Sequence, residues 1–218
     1  MFVSLVEMVA QPLRLATLIS AGLGVALTSF PLAVSAQANL RSSFPGRRVG
    51  GGTRGECSAR ILAHLVPDSS VFSPGGAAEL ALVQGPTANP VSLTMTFKPE
   101  NGGAPVNRTL SASPAALILV KGSAITAPTV WESGFDCAAG DAGASTDPLA
   151  FIETASPPAV SLLVPTPDPS DAPIQKAIQS LRQSCGATVP AAATLAQFGL
   201  ADVVTAEWPQ QLPVRCPS

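Results

Sequence analysis

The chain has 218 residues, of which 46% are hydrophobic and 12% charged, and its formal net charge is −2 at pH 7. This slightly acidic balance, without aromatic residues interleaved among the basic ones, argues against a nucleic-acid-binding protein. After removal of an N-terminal leader, the remaining length suits one domain of ordinary size with a short appendage.

The N-terminus has the order of a secretory signal peptide. Arg14 precedes a long apolar run over residues 15–34, and the small residues Ser35 and Ala36 follow it. This pattern predicts a cleaved signal peptide over residues 1–36 and a periplasmic or extracellular protein. The alternative is a retained membrane anchor, because about 20 apolar residues can cross a bilayer. No later segment is long and apolar enough to do so, so the mature chain is predicted to lack a transmembrane span.

Residues 37–56 are rich in glycine, serine and arginine and have no apolar period, which predicts a basic arm. The basic residues of this region are Arg41, Arg47, Arg48, Arg54 and Arg60. Three interpretations stay open: a flexible arm, an arm that contacts an anion, and an arm docked on the domain behind it. The glycine run 50–52 could form a backbone anion nest, but the sequence around it lacks the context of a phosphate-binding P-loop.

Residues 57–164 contain short apolar runs separated by proline and glycine. The clearest is 91–98, where Leu93, Met95 and Phe97 alternate with polar residues, as in a half-buried strand. A turn and a returning strand at 106–110 follow, which predicts a hairpin. The other predicted strands are 60–66, 77–83, 115–120, 129–131, 149–153 and 159–164. The predicted fold is mainly β: an Ig-like, sandwich-like antiparallel domain with a short C-terminal helical appendage.

The spacing of the apolar residues changes after residue 164. Prolines over 165–173 predict a stiff linker, and residues 174–218 are predicted to form a helical tail. Within the tail, Ile174, Ile178 and Leu181 recur at helical spacing, Gly186 ends that helix, and a second helix is predicted over 190–198.

Four cysteines in an exported chain predict two disulfides. They are Cys57, Cys137, Cys185 and Cys216. Three pairings are possible, and proximity along the chain favours Cys185 with Cys216 and Cys57 with Cys137. A zinc site is not expected, because the spacing C-x-x-C is absent and the chain has a single histidine. We predict no metal and no cofactor.

The segment 45–55, PGRRVGGGTRG, followed by Cys57, resembles the opening of a family of cyanobacterial exported proteins known only as a domain of unknown function. Later matches are Leu65-Val66-Pro67, then Trp131, Ser133 and Cys137, and then a strand at 149–153. The resemblance spans residues 45–155, although the aromatic strand cluster usual in that family is missing here. It implies an exported β-rich domain with a helical tail, with Cys57 facing Cys137, and it implies no activity.

His64 is the only histidine, so histidine-based catalysis would have to use it. It shares a predicted strand face with Leu62 and Val66, and no Gly-x-Ser-x-Gly motif supplies a serine nucleophile. A structural histidine is therefore the expectation, and no catalytic residue is assigned.

An acidic loop follows the strand at 129–131. Its carboxylates are Glu132, Asp136, Asp141 and Asp147. We expect a solvated loop, with calcium binding as the alternative. Trp131 and Trp208 are expected in the core or at a sheet edge rather than as sugar-binding platforms.

The sequence thus favours an exported, non-enzymatic binding or envelope-associated module whose arginine arm contacts an anionic surface, such as lipid head groups or acidic polysaccharide. One alternative is a secreted hydrolase that uses His64 or the acidic loop. Another is a structural partner of an envelope protein that docks through Ile174, Ile178 and Leu181.

Overall fold

Two β-sheets form the protein in the computed structural model, which describes residues 40–51, 61–136 and 157–217. In spatial order, the first sheet contains β1 (Val49–Gly50), β2 (Leu62–His64), β4 (Glu79–Gln84), β7 (Ala116–Lys121), β11 (Gln211–Arg215) and β10 (Thr188–Pro190). The second contains β3 (Val71–Phe72), β9 (Ala159–Leu163), β8 (Thr129–Phe135), β5 (Leu93–Pro99) and β6 (Val106–Leu110). The prediction of a mainly β, sandwich-like fold is confirmed.

The core lies between the sheets and follows from the side-chain alternation of the strands. On β5, Leu93 and Met95 are buried while Lys98 is exposed, so the period of two read from the sequence places the apolar face inward. β5 and β6 pair in antiparallel register, with Phe97 opposite Val106, which confirms the predicted hairpin. β7 is buried almost throughout because it lies in the middle of its sheet.

Not every pairing is antiparallel. β11 runs parallel to β7, with Val214 opposite Leu117, and β3 runs parallel to β9. In both pairs a long stretch of chain separates the two strands, as a parallel pairing requires. The two sheets are therefore mixed.

Two helices lie in the C-terminal part: α1 (Ala172–Gln183) and α2 (Ala191–Ala196). Single 3-10 turns occupy Gly75–Ala77, Pro169–Asp171 and Ala201–Val203. The Asp168 side chain accepts a hydrogen bond from the Ser170 backbone N–H and so caps the turn before α1. In the part of the chain that is described, no helix has the length and apolar content that a bilayer crossing requires.

The C-terminal region is not the separate helical tail that we predicted. Between and after its helices it contributes β10 and β11, and β11 pairs with β7 near the centre of the first sheet. The predicted linker 165–173 is anchored too, since Asp171 is fully buried. The strands were missed because β10 has three residues and β11 contains Pro213, so neither shows a clean strand period.

Candidate functional site

The start of the arm is attached to the domain through Arg41. Its Nη1 and Nη2 donate to the two carboxylate oxygens of Asp171 at 3.0 and 2.7 Å, and Nη1 also donates to the Val71 carbonyl at 2.9 Å. Asp171 is 0% exposed and accepts a further bond from the Ser73 backbone N–H at 3.0 Å. A buried carboxylate needs such partners, so Arg41 is a structural cation.

Arg48 is also bound to the domain, but its partners are mainly backbone carbonyls. Its Nη1 donates to the carbonyls of Val66 and Phe198 at 2.8 and 2.6 Å, and its Nη2 donates to that of Gly199 at 2.9 Å. Phe198 and Gly199 follow the end of α2, where unsatisfied carbonyls carry partial negative charge and favour a cation. Asp68 adds a solvent-exposed ion pair.

The glycine-rich segment crosses from one sheet to the other. Arg47 forms an isolated antiparallel bridge with Val160 of β9, and two residues later Val49 pairs with Ala63 of β2. Gly50 packs so closely on β9 that an added Cβ would lie 2.4 Å from the Ala159 backbone nitrogen. Gly51 then adopts a φ of 108°, which favours glycine.

The expectation of a flexible arm is therefore wrong for residues 40–51, and the docked alternative is the one observed. Among the five predicted anion-binding arginines, Arg41 and Arg48 bind groups of their own chain, and Arg47 has an exposed side chain. Arg54 and Arg60 lie outside the described residues. The sequence of this segment predicted a mobile basic arm because its binding partners are not nearby in the chain. Asp171 and the end of α2 come more than a hundred residues later.

His64 lies deep between the sheets. Its side chain is 0% exposed, its Nδ1 shares a hydrogen bond of 2.8 Å with Ser161 Oγ, and its ring stacks on Trp131 at a centroid distance of 3.5 Å. Burial lowers the pKa of His64 well below its usual 6.5, because the charged imidazolium would lose its hydration. A substrate cannot reach this pair, so the serine and histidine do not form an accessible nucleophile and base.

The acidic loop does not assemble into a site in the described residues. Glu132 pairs with Lys98 at 2.6 Å on the outer face of the second sheet, and Asp136 follows the end of β8 with an exposed side chain. Asp141 and Asp147 lie outside the described residues. In the part of the chain that is described, no three His, Cys, Asp or Glu side chains cluster as metal ligands.

The remaining predicted residues are structural. Trp131 and Trp208 are buried, as expected for core residues. Ile174, Ile178 and Leu181 pack on the chain's own core, so the predicted docking face of α1 is already covered. Cys185 and Cys216 form the predicted disulfide, which ties the end of α1 to the end of β11. Cys57 and Cys137 lie outside the described residues.

A cavity of about 290 Å³ opens between the sheets at the turn end of the β5–β6 hairpin. Its walls come from three places: Leu80 of β4, Phe97 and Val106 of the hairpin, and residues 122–127 of the loop between β7 and β8. This volume lies just below that of typical small-molecule sites, about 300–1,000 Å³, so it suits a small ligand. Sequence analysis predicted each of the strands but not this cavity, since its walls are far apart in the chain.

Two features mark the rim of this cavity. Val106 is 53% exposed, the largest exposure of any large apolar side chain in the described residues. Arg108, two residues along β6 and on the same face, is the only charged residue of the described lining. The signal in the sequence was the strand 106–110 itself, where an apolar residue and an arginine share a face beside a glycine turn.

In chemical terms, the cavity offers apolar contact, a few side-chain hydroxyls and amides, and one guanidinium. The lining includes Ser123, Thr126 and Asn101 but no carboxylate, histidine or cysteine among the described residues. That composition suits binding and orientation of a ligand. No protein-family model, no curated protein and no solved structure matches this chain significantly.

Proposed function

We propose that the protein is an exported, non-enzymatic binding module whose ligand site is the cavity at the turn end of the β5–β6 hairpin. The single observation that carries the proposal is the coincidence of an apolar cavity with the exposed Val106 at its rim. Concave, mostly apolar surfaces with a few polar groups are characteristic of small-molecule sites, and Val106 extends the apolar surface to the rim. Export is supported by the Cys185–Cys216 disulfide, since disulfides persist in oxidising compartments.

The binding role inferred from the sequence is kept, but its proposed site is the cavity and not the arm. Arg41 and Arg48 are occupied by the chain's own carboxylate and carbonyl groups, so contact with an anionic surface through them would require the arm to detach. The hydrolase alternative, through His64 or the acidic loop, has less support: His64 is buried against Trp131, and of the described acidic residues Glu132 is paired with Lys98.

The test is ligand-induced stabilisation with a panel of short alkyl alcohols and acids. A ligand at ten times its Kd should stabilise the protein by about 1.4 kcal/mol, which raises the Tm of a domain of this size by about 3–6 °C. Phe97 lines the cavity and stacks with Trp131 at 6.2 Å, so tryptophan fluorescence gives a second readout.

A substitution that fills the cavity with a larger side chain tests whether the ligand binds there. Ala124 is an exposed residue of the cavity lining, and Ala124→Phe should occlude the cavity and abolish the Tm shift. Ala192→Phe is the matched control, because Ala192 is exposed on α2 and outside the lining. If no member of the panel binds, or if binding survives Ala124→Phe, the proposed site is wrong.

A further inference from the structure

The charge of the cavity is asymmetric. Its described lining contains one guanidinium, Arg108, and no acidic side chain. The side chain of Arg108 is half-buried, and its Nη1 donates to the Lys121 carbonyl at 2.5 Å, which connects β6 of one sheet to β7 of the other. An arginine has five N–H donors in a planar fork, so this single bond leaves most of its donors available.

Arg108 differs from the other well-anchored arginines in having no acidic partner among the described residues. Arg41, Arg48 and Arg182 each lie within ion-pair distance of a carboxylate. Arg108 has no carboxylate within that distance in the described residues. The Lys121 carbonyl satisfies one of its donors but carries no formal charge, so an anion bound beside Arg108 would supply the counter-ion that it lacks in the described residues.

We infer that the ligand of this cavity is a single-chain amphiphile with an anionic head: the alkyl chain occupies the apolar cavity, and a carboxylate binds Arg108. The inference rests on the proposed function and adds the chemical class of the ligand. The carboxylate matches the fork of the guanidinium, and the chain matches Leu80, Phe97 and Val106. The single charged group at the rim sets the orientation of the ligand, with its head outward and its tail between the sheets.

The experiment compares octanoate with 1-octanol, which share the length of their carbon chains and differ in head group. Affinities are measured by tryptophan fluorescence and by Tm shift on the full mature protein. We expect octanoate to bind at least tenfold more tightly than 1-octanol, as a charge-assisted hydrogen bond predicts. Arg108→Gln should lower octanoate affinity about tenfold and lower 1-octanol affinity much less, because a neutral hydroxyl gains less than a carboxylate from the guanidinium.

Arg47→Gln is the matched control, since Arg47 is an exposed arginine outside the cavity lining, and it should leave both affinities unchanged. If Arg108→Gln lowers the Tm too far for titration, the affinities of the unmodified protein are measured at increasing sodium chloride concentration instead. Octanoate affinity should then fall with salt and 1-octanol affinity should not.

The outcomes separate the inference from the proposed function. Equal affinity for the two ligands, or a preference that survives Arg108→Gln, overturns the anionic ligand and leaves the cavity as a binding site. Failure of both ligands to bind overturns the inference, and failure of the wider alkyl panel is what overturns the proposed function. Loss of octanoate affinity in Arg47→Gln would place the anion on the arm and likewise refute the inference.

Discussion

Replacement of Arg41 by alanine tests the central structural finding, that the arginine-rich arm is anchored on the domain through Asp171. Arg41 supplies two of the hydrogen bonds to the Asp171 carboxylate, and its side chain is 13% exposed against 0% for its partner. Without it, the bond from the Ser73 N–H is the one that remains to this carboxylate among the described residues.

The expected loss follows from that geometry. Removal of one partner of a buried ion pair destabilises proteins by about 3–5 kcal/mol, because the remaining charge is left uncompensated. Total stabilities are about 5–15 kcal/mol, so Arg41→Ala should remove a large part of the free energy of unfolding. Arg47→Ala removes an exposed arginine from the same segment and should change stability by no more than about 0.5 kcal/mol.

Urea unfolding of the two variants and the parent, followed by far-UV circular dichroism, measures both differences. The double variant Arg41→Leu with Asp171→Leu removes both charges, and it should be more stable than Arg41→Ala, since apolar replacement of a complete buried pair is often neutral. If Arg41→Ala loses less than about 1 kcal/mol, or if Arg47→Ala loses as much, the arm is not anchored through Asp171 and the reasoning fails.

Three further predictions concern other parts of the fold. Because burial lowers the pKa of His64, the unfolded chain binds a proton that the folded chain excludes. Stability should therefore fall below pH 6.5 by about 1.4 kcal/mol per pH unit, relative to His64→Gln, in urea titrations at several pH values; parallel curves for the two proteins would contradict this. Reduction of Cys185–Cys216, which closes a separation of 31 residues, should lower the free energy of unfolding by about 3–4 kcal/mol, and an unchanged Tm after reduction would refute the estimate. Gly50→Ala should cost about 1–3 kcal/mol, since its Cβ would overlap the backbone of β9. Gly76→Ala, with nothing within 4 Å of the new Cβ, should be close to neutral, so similar Tm values for the two alanine variants would contradict the close packing at Gly50.

Local patterns in the sequence predicted the elements that carry a clear period. The alternation of Leu93, Met95 and Phe97 indicated β5, and the return over 106–110 matches β6. The helical spacing of Ile174, Ile178 and Leu181 marked α1. These signals are local, because each strand or helix must turn one apolar face toward a core wherever that core lies.

The short strands could not be predicted in the same way. β1 and β3 have two residues each, and two residues carry no period. Their positions are set by pairing with other strands: β1 pairs with the next strand, β2, and β3 pairs with the parallel strand β9, which lies much later in the chain. The same holds for the role of Arg48, which depends on carbonyls at the end of α2, 150 residues away.

The sequence by itself determined the fold class, the hairpin and the first C-terminal helix through periodicity, and proximity along the chain favoured the Cys185–Cys216 pair that the structure contains. Only the tertiary structure decided that the arginine arm docks on both sheets, that His64 is buried against Trp131, and that an apolar cavity with Arg108 at its rim opens at one end. The reason is physical: burial, the partner of a charge and the walls of a cavity are properties of residues brought together from distant positions, and no local pattern encodes them.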